Sequence, residues 1–155
     1  MSGLGVGSSA RPPATPTPAR RIALVITGVL FSAAGVNHFI MPAFYERIVP
    51  VWLTRPAFVP SAATLVVLSG AFEILGGLSL LVPRLRRAAA WGLIALLVAV
   101  FPANVEMVVN EAVGAKAIAA QTGTAAALSQ AILIARLPLQ AVMIAWVYWS
   151  AARKP

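Results

Sequence analysis

The chain reads as an all-α polytopic membrane protein, a bundle of four transmembrane helices. Three observations predict this. Hydrophobic residues fill 60% of the 155 positions and charged residues only 10%, against about 25% charged in an ordinary soluble domain. The apolar residues gather into four runs of about 20, the length that crosses a bilayer as a helix. Twelve Lys and Arg stand against four acidic residues, and they punctuate the ends of the apolar runs, which is the membrane pattern. A nucleic-acid surface needs its basic residues clustered on one folded face, so no nucleic-acid partner is expected.

Residues 1–21 are rich in Gly, Ser, Ala and Pro, as in Arg11-Pro-Pro-Ala-Thr-Pro-Thr-Pro-Ala-Arg20. Nothing there can bury a core, and a disordered cytoplasmic tail is expected. The first span covers about 22–39. The arginines before it resemble the start of a secretory signal peptide. However, the run continues to spanning length and ends in Asn37-His38-Phe39 rather than a cleavage site, so it is read as an uncleaved span. Segment 41–61 breaks the pattern with Pro42, Pro50, Pro56 and Pro60, and carries Phe44, Tyr45, Trp52 and Phe58. Amphipathic aromatics favour the headgroup level, which predicts a short interfacial helix and a turn across the bundle mouth.

The second span, about 62–81, places Ser69, Glu73 and Gly77 on one face at i, i+4, i+8, and small residues there admit a neighbouring helix. A basic turn, Pro83-Arg-Leu-Arg-Arg87, leads to the third span, about 88–109, with Pro102 inside it. Residues 110–130 are Ala-rich and weakly polar, and both a loop and a helical lead-in remain open. The fourth span, about 131–150, carries Arg136, Pro138 and Gln140 and closes with Trp146, Tyr148 and Trp149. Residues 151–155 form the C-terminus, so 22–150 make a single membrane domain.

Charge sets the expected topology. Arg11, Arg20, Arg21, Arg84, Arg86, Arg87, Arg153 and Lys154 fall on one side, eight of the twelve basic residues, with no acid among them. The positive-inside rule puts both termini in the cytoplasm of an inner or plasma membrane protein. At roughly 1.5 Å per residue, His38 lies near the outer end of the first span and Glu73 near the middle of the second. Asn104 and Glu106 fall in the outer half of the third, and Arg136 and Gln140 share a face of the fourth. These six residues form a candidate outward-facing polar pocket. Arg136 is expected to pair with a carboxylate; depth favours Glu106, the bundle interior favours Glu73, and both stay open.

The plainer account covers much of this. Single polar residues between membrane helices often serve only as interhelical hydrogen bonds, and Pro102 and Pro138 read as kinks that let helices clear one another. Glu73, Glu106 and Arg136 differ, because ionisable groups at membrane depth are functional candidates by default. No catalytic residue and no metal ligand is assigned. The chain has no cysteine and one histidine, which leaves out disulfides, thiolate sites and a multi-histidine metal centre within one subunit.

Several short motifs carry a resemblance. Asn37-His38-Phe39 with Pro42, Tyr45 and Ile48-Val-Pro50; Ser69-Gly-Ala-Phe-Glu-Ile-Leu-Gly-Gly77; Val100-Phe-Pro-Ala-Asn104; and Arg136-Leu-Pro-Leu-Gln140 with Trp146, Tyr148 and Trp149 together resemble the DoxX-like integral membrane proteins. The resemblance implies a four-helix membrane bundle. It also implies an accessory membrane subunit of a redox system, quinone-linked or tied to oxidative stress, rather than a self-sufficient enzyme. On that reading a quinone or another lipid-soluble ligand occupies the pocket, membrane lipid surrounds it, and an oxidoreductase subunit is the partner, with a homodimer as a further candidate. The alternatives are a small transporter or permeation subunit and a purely structural membrane scaffold.

Overall fold

Thr17 opens the first helix. Its side chain accepts the Arg20 amide at 3.4 Å, and Pro18 follows at a position where an amide has no intrahelical partner. α1 therefore runs Pro18–Ile40. The computed structural model, which describes residues 17–110 and 114–153, places Arg20 and Arg21 inside this helix. The expected tail thus ends before Pro18; its remainder, 1–16, and residues 154–155 lie outside the described residues.

Segment 41–61 holds two short helices, α2 (Pro42–Ile48) and α3 (Val51–Thr54), each opening at or just after a proline. Ser61 then caps α4 (Ala62–Ser79), its hydroxyl accepting the Thr64 amide at 3.2 Å. After the basic turn comes α5 (Arg86–Val109), which begins two residues before the expected boundary and continues through Pro102. Within 110–130, the described residues form α6 (Ala115–Thr122) and the first turn of α7 (Ala126–Val147). α6 stops at Gly123, whose φ of 70° is left-handed and suits glycine. The last span thus begins at Ala126 rather than 131, and it ends in a π-helical turn, Tyr148–Ala152.

α1, α4, α5 and α7 with its π-turn are long and apolar enough to cross a membrane. Their outer faces leave Ile22, Val29, Phe72, Leu75, Val98 and Val142 exposed. A contiguous apolar surface of this kind fits lipid and not water. α1 packs on α4, α4 on α5 and α5 on α7, and the π-turn brings α7 back to α1. One apolar cluster, with Leu24, Phe31, Leu80, Leu93 and Val147, sits at the end where α1 and α5 begin. A second, with Ile48, Met107, Ala115 and Leu133, sits at the other. Polar side chains occupy the stretch between them.

The α1–α4 contact is the tightest in the bundle, and glycine makes it possible. A Cβ on Gly28 would lie 2.8 Å from the Gly77 carbonyl oxygen, and one on Gly35 would lie 2.6 Å from that of Gly70. The two pairs are seven residues apart on each helix, so they recur on one face of an antiparallel crossing. Lipid tails are as apolar as leucine, so the helices associate through such close packing. Gly70→Ala forces a Cβ to 2.8 Å from that of His38 and 2.9 Å from the Gly35 oxygen. It is expected to lower stability by about 1–3 kcal/mol. Gly92, with nothing within 4 Å of its added Cβ, is the contrast: Gly92→Ala should be neutral or stabilising by up to about 1 kcal/mol. Unfolding of both variants in detergent by circular dichroism separates them.

Candidate functional site

The same glycine contact positions His38 and Glu73. His38 sits in the last turn of α1, beside Gly70, and Glu73 lies one turn deeper on α4. His38 Nδ1 is 3.4 Å from Glu73 Oε2 and 3.1 Å from the Ala34 carbonyl oxygen. A neutral imidazole has one N–H, and the Ala34 carbonyl takes it when Nδ1 carries the proton. Glu73 Oε2 is then buried without a hydrogen-bond partner. Ser69, one turn from Glu73 on the same face, also has a buried and unpartnered hydroxyl.

Tyr45 of α2 covers this pair from the bundle mouth. Its ring stacks on His38, with centroids 3.8 Å apart and planes inclined by 25°. Asn37 Nδ2 donates to its phenol oxygen at 3.0 Å. The interfacial segment is therefore tied to the end of α1 by a stacked ring and a hydrogen bond, beyond apolar contact alone.

Across the bundle, Asn104 of α5 donates to Gln140 Oε1 of α7 at 2.9 Å, and Gln140 Nε2 donates to the Leu97 carbonyl. Leu97 is next to Val98, the residue whose carbonyl loses its helical donor to Pro102. Gln140 thus satisfies a carbonyl and an amide of the neighbouring helix at once, which explains a buried amide in mid-span.

These groups surround a cavity of about 390 Å³. Its polar wall comprises His38, Tyr45, Ser69, Glu73, Asn104 and Arg136, and its apolar wall includes Val66, Phe72, Leu96 and Val100. Of the six expected residues, His38, Glu73, Asn104 and Arg136 meet at this cavity. Gln140 stands behind Asn104 as its partner. Glu106 faces elsewhere: Asn110 Nδ2 donates to its Oε1 at 2.8 Å within the same helix.

The pairing expected for Arg136 is corrected here. Among the described residues, the one acid–base contact within 4 Å is His38 with Glu73, an ion pair only when the imidazole is protonated. Arg136 bridges neither Glu73 nor Glu106, because α7 holds it on an exposed face at the cavity edge and Glu106 is bound to Asn110. Sequence reasoning gave Ser69 to packing and Tyr45 to the headgroup level, and so left both out of the pocket. The i, i+4 spacing of Ser69 and Glu73 was the available signal for the first; the second depends on where α2 folds back.

Gln140→Leu removes one partner from Asn104 and one from the Leu97 carbonyl while keeping the apolar volume. A loss of about 1 kcal/mol is expected, in the range of interhelical hydrogen bonds in membranes. Thermal unfolding in detergent measures it, and no loss would mean that the Asn104–Gln140 contact contributes nothing to helix register.

A family model described as "Domain of unknown function (DUF8561)" matches residues 27–151, from within α1 to within the π-helical turn. No curated protein and no solved structure matches the chain.

Proposed function

We propose, for a chain that belongs to the DUF8561 family, an accessory membrane subunit of a redox system whose pocket holds a lipid-soluble ligand of the quinone class. One observation carries this reading. The cavity is apolar over most of its wall, yet it presents the unpartnered Ser69 hydroxyl and Glu73 Oε2. Buried polar groups in a native structure are nearly always paired, so two orphans in one cavity favour a missing ligand. A quinone carbonyl accepts from Ser69, from the second amide hydrogen of Asn104 or from Arg136, and a quinol hydroxyl donates to Glu73. The stacked rings of His38 and Tyr45 offer an aromatic face beside them. The DoxX-like motifs support the same class of role, with the electron-transfer chemistry supplied by a partner oxidoreductase. The excess of Arg20, Arg21, Arg84, Arg86, Arg87 and Arg153 at one end favours that end, and both termini, in the cytoplasm of an inner or plasma membrane.

A second reading rests on Arg136, which lines the cavity without an ion-pair partner among the described residues. It suits passage of a small anionic solute, with Glu73 as the proton-coupling group.

Titration of the detergent-purified chain with a lipid-soluble quinone tests the first reading. At 100-fold over its Kd the ligand should stabilise the fold by about 2.7 kcal/mol. Ser69→Ala and Glu73→Gln are expected to remove most of that gain. Ser69→Ala should leave the unliganded stability unchanged, because its hydroxyl has no partner to lose. A quinone that shifts wild type and both variants alike, or shifts none, overturns this reading. Anion uptake into proteoliposomes that is lost in Arg136→Gln would then favour the second.

A further inference from the structure

At the end of the bundle away from the cavity, arginines separated in sequence come together in space. Arg20 and Arg21 stand in the first turn of α1, and Arg86 opens α5. Arg20 Nε donates to the Ser150 carbonyl at 2.8 Å, and its Nη2 reaches the Arg153 carbonyl. Arg86 Nε donates to the Leu80 carbonyl at 3.0 Å. The carbonyls that hold Arg20 and Arg86 belong to or adjoin one apolar cluster, in which Leu80 packs with Leu24, Ala151 and Ala152, so both guanidinium groups stand at the same end of the bundle. Main-chain carbonyls hold two of these guanidinium groups, but carbonyls carry no net charge. The described acids, Glu46, Glu73 and Glu106, lie elsewhere, and none pairs with this cluster. A guanidinium has five N–H donors, so each group keeps donors for an anion.

An apolar groove of about 560 Å³ begins beside the cluster. It runs along α4 and α5 from Ser79 and Leu85, the residue before Arg86, past Ala88 and Gly92 to Ala99. Gly92 leaves open space where a side chain would stand. Trp91 and Trp149, both half exposed, mark this end as an interfacial level. An anionic head and an apolar tail are therefore called for within one molecule. A second copy of the chain fits poorly, because a two-fold contact through this face brings two uncompensated cationic clusters towards each other.

We propose that this end is a binding site for an anionic phospholipid, with its phosphate on Arg20, Arg21 and Arg86 and one acyl chain in the α4–α5 groove. The site shares no polar residue with the pocket around Glu73, so its failure leaves that reading untouched.

Native mass spectrometry of the full chain, released from nanodiscs of equal phosphatidylglycerol and phosphatidylcholine, tests the proposal. Wild type should retain phosphatidylglycerol in preference. Arg86→Gln and Arg21→Gln should each lower that preference about fivefold, near the value of one arginine at an anionic surface, and Arg21→Lys should keep it. Arg21 is exposed, so its variants remain informative if Arg86→Gln misfolds through loss of the Leu80 contact. Gly92→Leu, which fills the groove, should reduce retained phosphatidylglycerol. Equal retention of the two lipids by wild type overturns the proposal. So do an unchanged preference in Arg21→Gln, displacement of the lipid by inorganic phosphate alone, and a lipid-free dimer broken by Gly92→Leu.

Discussion

The approach of α1 to α4, backbone against backbone at Gly28–Gly77 and Gly35–Gly70, is the contact on which the other features depend. Water drives no hydrophobic collapse between helices already in lipid, so association rests on close packing and on hydrogen bonds between helices. Two glycine pairs at the same seven-residue spacing set the depth of one helix against the other. That register brings the last turn of α1 level with the middle of α4. His38 and Glu73 meet because Gly70 leaves space between them, and α2 folds its Tyr45 ring over the pair.

The second constraint is polar satisfaction at membrane depth. Gln140 answers an amide on α5 and a carbonyl next to the one that loses its donor to Pro102, so one side chain joins α5 to α7 beside the interruption in the helical ladder. Trp146 does similar work between α7 and α1, donating at 2.8 Å to the Thr27 hydroxyl, which itself donates to the Ala23 carbonyl. The Ser69, Ser32 and Ser129 hydroxyls and Glu73 Oε2 are buried without a hydrogen-bond partner, and of these four Ser69 and Glu73 line the cavity. Their location at the cavity beside His38, rather than at a packing contact, is the observation on which the proposed ligand rests.

The two ends of the bundle carry different chemistry for a physical reason. At one end, α2, α3 and α6 cross the mouth and leave a cavity beneath aromatic rings. At the other, the long helices end in a basic turn, a π-helical turn and arginines fixed to backbone carbonyls. One end suits a buried ligand with few charges; the other suits the charged surface of a bilayer.

Four spans, their order and the breaks between them were legible in the sequence, because bilayer thickness imposes a minimum apolar length that composition reveals directly. The convergence of His38, Glu73, Asn104 and Arg136 was also legible, since depth along a helix follows from residue count. Partners were another matter. Arg136 was expected to meet a carboxylate, but rotation of α7 about its own axis leaves it exposed, and Glu106 is held by its neighbour Asn110. A sequence records how deep a residue sits, not the azimuth at which rigid helices lock. In the stretch Val100–Asn110 of α5, the two amides and the carboxylate are polar by composition alone. That Asn104 and Glu106, two residues apart on one helix, point to different faces follows from the helical repeat; that Asn104 meets Gln140 was decided by the packing of α5 on α7.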